Sequence, residues 1–177
     1  MIFTSPVRRS HPPQVAGEVA ALTAWLDYHR ATLPWKLKGL DDEQLRRSMV
    51  PSGLSLLGLV KHLTAVEHVW FVMEFANTGE PHLFESEDDP DLDFHVQEDE
   101  TTEAIVTGYL RACERSRDVV AAATSLDETF RLVDRSDPRH GQEIDLRWIL
   151  LHMIEETARH NGHADILREL IDGSTGD

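Results

Sequence analysis

Towards the C-terminal end of the sequence, Glu156, His160 and His163 stand four and three residues apart. At about 100° per residue they share a narrow sector of one helix, with His152 at its edge. Ile149, Leu167 and Leu170 fall in the same sector, so the ionisable groups face the core rather than water. An unpaired polar group there costs roughly 1–3 kcal/mol, and several together point to a shared partner. A divalent metal is the simplest one. Glu156 and His160 can both reach one ion from a single helix, whereas Glu155 lies about 140° away from His160. Two histidines and a carboxylate form a common open site that keeps a position for water or substrate. The third ligand must then come from another helix.

His62 is the candidate for that position. It sits among Leu59, Val60, Leu63 and Val66, where an imidazole needs a partner; a metal and a backbone carbonyl serve equally well. A spacing of E-x-x-x-H is also what an ordinary surface pair shows. His68 lies about 120° from His62 on the same helix, which sets it apart from the ion. His152 reads as a packed histidine. His163 is the candidate catalytic residue: it could orient a ligand, meet a substrate, or simply pack between helices.

The elements that must carry these groups follow from apolar spacing and punctuation. Residues 1–13 read as a loose arm ended by Pro12-Pro13, and residues 14–173 as one domain. Val15, Val19, Leu22, Leu26 and Leu33 mark a helix from Gln14 that Pro34 should kink or end. Asp41 with Gln44 suits the N-terminus of a short helix. Leu54–Asn77 is a second long helix closed by Gly79 and Pro81. The acidic stretch 80–100 reads as a solvated surface loop carrying His82 and His95. A third long helix covers about Thr102–Ala123. Leu126–Asp145 connects, with TFRLVDR as a short extended piece and Asp137–Gly141 as a turn. The fourth long helix is Leu146–Leu170, capped by Gly173. The expected fold is an all-α four-helix bundle, up-down with longer crossover connections.

Bulk properties narrow the function. The chain has 177 residues, 41% of them hydrophobic, and a formal charge of −15. That charge argues against a nucleic-acid partner and an anionic membrane. The sole cysteine, Cys113, excludes an internal disulfide and reads as a small core residue. No signal peptide is evident, and no run approaches the ~20 apolar residues of a membrane span. A soluble, cytoplasmic protein is expected. Trp25, Trp70, Phe71 and Phe75 read as core, with a pocket or dimer face as the other use.

The segments PSGLSLLGLVKHLTAVEHVWF and LRWILLHMIEETARHNGHADILREL, with LPWKLKGLDDEQLRR before them, resemble the DinB superfamily. The likeness is to its actinobacterial branch related to mycothiol-dependent enzymes. It implies a four-helix bundle, commonly a homodimer, with zinc or nickel held at one end by three residues. Much of the superfamily has H-x-x-x-H on the fourth helix; here the first position is Glu156. The His, Glu, His combination is similar to that of mycothiol-dependent maleylpyruvate isomerases, and so the resemblance assigns the metal to His62, Glu156 and His160. Those isomerases carry a further C-terminal domain, whereas this sequence ends shortly after its fourth helix, which weakens the expectation of that isomerisation.

The expected activity is transfer of a low-molecular-weight thiol, mycothiol, to a small electrophile, or an isomerisation using that thiol. A metal would hold the thiolate, the nucleophilic form. Arg147 and Arg159 are candidate contacts for an anionic substrate. A metal-dependent hydrolase, which activates water at the same open site, is the alternative. So is a non-enzymatic metal-binding or stress-associated bundle.

Overall fold

The computed structural model describes residues 2–134 and 137–176. Its elements are α1 (Glu18–Lys36), α2 (Asp42–Arg46), α3 (Leu56–Glu67, continuing π-helically through His68–Phe75), α4 (Thr102–Ala122), β1 (Thr129–Arg131), β2 (Glu143–Asp145) and α5 (Leu146–Asp172). The fold is all-α, as the spacing predicts. α1 packs most extensively on α5, and α3 on α4. Among the described residues, β structure is confined to the antiparallel β1–β2 ribbon, with Phe130 opposite Ile144, and an isolated bridge between Ile2 and Asp41. The ribbon falls within the connection expected to hold an extended piece; Arg135 at the end of TFRLVDR lies outside the described residues.

Local chemistry explains most of the boundaries. The Asp41 carboxylate accepts from Gln44 N–H at 2.9 Å, and Gln44 Oε1 accepts from Asp41 N–H at 3.0 Å, which is the reciprocal capping box. Ser55, Thr101 and Asp145 cap α3, α4 and α5 with the side-chain half of that arrangement alone, accepting from Gly58, Ala104 and Trp148 N–H. Gly173 closes α5 at φ 78°, a left-handed position that glycine adopts without the Cβ penalty. α1 starts at Glu18 rather than Gln14, because Val15 is exposed and adds nothing to the core. Pro34 lies inside α1, which ends at Lys36. The opening segment, expected as a loose arm, is tied at Phe3: its N–H donates to Leu40 O at 2.8 Å, and its carbonyl accepts from Gly39 N–H at 3.0 Å.

Two apolar clusters fill the bundle. The first joins Leu33, Leu37, Leu45, Leu59, Leu63, Val106, Tyr109 and Leu167; the second joins Leu26, Trp70, Phe71, Leu132, Ile149 and Met153. Leu170 is exposed, and the apolar sector of α5 enters the core through Leu167, with the half-buried Ile171 of the last turn packed against the same cluster. Trp25 is also exposed, whereas Trp70 and Phe71 are buried. The stretch Leu56–Phe75 is long and apolar enough, by length and composition, to cross a membrane, contrary to the expectation of no such run; 78% of it is buried inside the bundle. Its π-helical half is a register that side-chain periodicity does not reveal. There His68, Trp70, Phe71, Val72 and Glu74 are all buried.

Candidate functional site

α3 and α5 lie side by side and bring His62 against Glu156 and His160. One ligand atom from each of the three lies within 4.8 Å of the others. Glu156 Oε1 is the hinge of the group, 3.1 Å from His160 Nε2 and 3.5 Å from His62 Nε2. Ligands about 2.0 Å from a tetrahedral zinc stand about 3.3 Å apart, so the spacing suits an ion between them. His62 Nε2 is buried and makes no hydrogen bond. A buried lone pair left without a donor, aimed at a carboxylate and a second imidazole, fits a metal. The residues present therefore suit the divalent ion that the resemblance implies.

The electrostatics agree. The His160 imidazole first, then that of His62, holds the Glu156 carboxyl well below the usual carboxylate range, with burial opposing them. Burial pushes the His62 imidazole down, but its hydrogen bond to Asp93 and the nearby Glu156 carboxylate outweigh it and the net shift is upward.

Around the three stand groups that sequence reasoning placed differently. His62 Nδ1 lies 2.7 Å from Asp93 Oδ2, and the Phe94 ring stacks on His62 at 3.9 Å between centroids. Both belong to the stretch read as a solvated loop. His163 is exposed, with Nδ1 3.3 Å from His160 Nδ1. It touches the side of His160 facing away from Glu156. Burial, then the nearby His160, lowers its proton affinity.

The other candidates lie elsewhere. His152 stacks on Trp148 at 5.0 Å and meets Trp70 edge-on at 4.8 Å, a packed histidine as expected. His68 Nε2 bonds Pro81 O at 3.0 Å. Arg159 pairs with Glu155, and Arg147 with Glu18 and Asp127, so their charges are engaged at the surface. Cys113 is buried beside Glu67, and burial raises its thiol pKa far out of the nucleophilic range. Sequence reasoning also missed the buried Arg30–Glu67 pair, two contacts of 2.6 Å. The signal was an acidic residue inside an apolar helix.

A model of the mycothiol S-transferase family matches residues 21–173. The chain belongs to that family. The matched span runs from α1 through the cap of α5 and contains His62, Asp93, Glu156, His160 and His163. Membership agrees with the resemblance to the mycothiol-dependent branch of the DinB superfamily. It makes mycothiol the thiol to consider at this site. No curated protein matches the chain.

Proposed function

We propose that this family member is a divalent-metal-dependent S-transferase that joins mycothiol to a small electrophile, with zinc or nickel held by His62, Glu156 and His160. The observation that carries the reading is the buried, unbonded His62 Nε2 converging with Glu156 and His160, within a chain of mycothiol S-transferase membership. When bound, the ion would hold the thiol sulfur and lower its pKa, favouring the thiolate. Glu156 offsets part of the cation's charge. His62 and His160, fixed by their neighbours, give two neutral donors. His163 stands exposed beside His160. Its lowered proton affinity keeps the imidazole neutral near pH 7, able to take the thiol proton and pass it to solvent. The thiolate sulfur then forms a bond to the electrophilic carbon; a halide departs with its electron pair, whereas at an activated alkene the π electron pair moves to the neighbouring carbon, which takes up a proton. A reducing cytoplasm, which maintains such a thiol, and a homodimer complete the proposal.

The test is a coupled measurement on tag-free protein. Elemental analysis should find about one zinc or nickel per chain, and the loaded protein should conjugate mycothiol to an activated halide or a maleimide-like acceptor. Absence of metal after zinc addition and dialysis overturns the metal assignment. Ester cleavage without any thiol, and no conjugation with it, would move the reading to a hydrolase.

A further inference from the structure

The loop that follows α3 is docked on it rather than solvated. Lys61, buried next to His62, donates from Nζ to His95 O at 2.8 Å and pairs with Glu100 Oε2 at 2.9 Å. The loop's own turns are closed by Leu92 N–H to Asp89 O at 3.2 Å and Phe94 N–H to Asp91 O at 2.8 Å. Against this, one turn of α3 before His62, stands Gly58. A Cβ at Gly58 would lie 2.2 Å from Phe94 O and 3.3 Å from its carbonyl carbon. No side chain fits there, so the loop backbone rests directly on the helix. The result is that Asp93 Oδ2 reaches His62 Nδ1 at 2.7 Å while the Phe94 ring lies nearly parallel to the imidazole, at 15°.

We infer that Asp93 is a positioning residue for the metal site, and that Gly58 and Phe94 form the seat that lets it act. An imidazole that donates Nδ1–H to a carboxylate has its Nε2 lone pair committed to the other side. Here that other side faces Glu156 and His160. The carboxylate fixes the tautomer and adds basicity, and Phe94 blocks rotation of the ring out of the site. Gly58 contributes by absence, because a methyl group would lift the Asp93–Phe94 turn off α3. This inference rests on the assignment of His62 as a ligand.

Zinc affinity of the metal-stripped full chain, read by competition with a chromogenic chelator, tests it. Circular dichroism fixes a temperature at which every variant is fully helical. Asp93→Ala should weaken zinc binding by roughly 10–100-fold, and Asp93→Asn, which keeps an acceptor oxygen, by less. Gly58→Ala should produce a comparable loss, and adding it to Asp93→Ala should cost little more, since both remove one contact. His62→Ala should abolish tight binding. If His62→Ala loses zinc while Asp93→Ala and Gly58→Ala hold it like the wild type, the positioning role is overturned and the ligand assignment stands. If the wild type binds no zinc, or His62→Ala binds it equally well, the ligand assignment falls and takes this inference with it. A purely structural role for Asp93 would lower the melting temperature and leave the affinity of the folded protein unchanged.

Discussion

Glu156 Oε1 lies 3.1 Å from His160 Nε2, one helical turn further along α5. The carboxylate is therefore shared: it faces the imidazole of its own helix and, at 3.5 Å, that of His62 on α3. Losing it leaves His160 and the half-buried His62 to face each other without that carboxylate between them. Glu156→Ala should lower bound zinc or nickel at least tenfold with the helical spectrum intact. Elemental analysis and circular dichroism on the same sample check this. Unchanged metal content would place the ion elsewhere.

His163 should separate binding from turnover. It touches His160 on the nitrogen away from Glu156, so His163→Ala should keep the metal. If it moves the thiol proton, the rate of thiol transfer should fall by about 10²-fold or more. The measurement is kcat with loaded protein, alongside metal content. Full turnover in the variant would confine His163 to packing.

The metal-free site should give stability a defined pH window. Glu156 is shifted down from 4.5, so its contribution is fully present above that value and is lost as pH falls through the folded pKa. His62 is shifted up from 6.5, so its contribution is fully present below that value and is lost as pH rises through the folded pKa. Both therefore operate together between pH 4.5 and 6.5. Melting temperature of the stripped protein should be highest there, as far as this site sets it. His62→Ala should flatten the alkaline limb. Zinc affinity should run the other way and rise with pH, because the metal displaces a proton.

The Arg30–Glu67 pair should behave as a buried pair whose partners depend on each other. Both side chains are almost wholly enclosed. Glu67→Ala leaves a buried guanidinium, with Asp27 as its remaining carboxylate, and should cost about 3–5 kcal/mol in denaturant unfolding. Arg30→Met combined with Glu67→Leu should recover most of that loss, because neither charge of the pair then remains buried. A double variant no better than Glu67→Ala would mean that the pair is net stabilising.

The sequence by itself determined the all-α architecture, the positions of the long helices and the shared face of Glu156, His160 and His163. These are local properties: apolar spacing sets the helices, capping residues such as Asp41 and Gly173 set their ends, and residues three or four apart meet on any helix. It also pointed to His62, because an imidazole inside Leu59–Val66 must have a partner. Tertiary structure alone decided what that partner is on each side. The Asp93 contact joins residues 31 apart and the Arg30–Glu67 contact residues 37 apart, and no periodicity encodes such distances. An acidic loop reads as solvated until the missing Cβ of Gly58 lets its backbone settle on α3. The π-helical turns after Glu67 likewise became visible only in three dimensions, since their composition is that of any apolar helix.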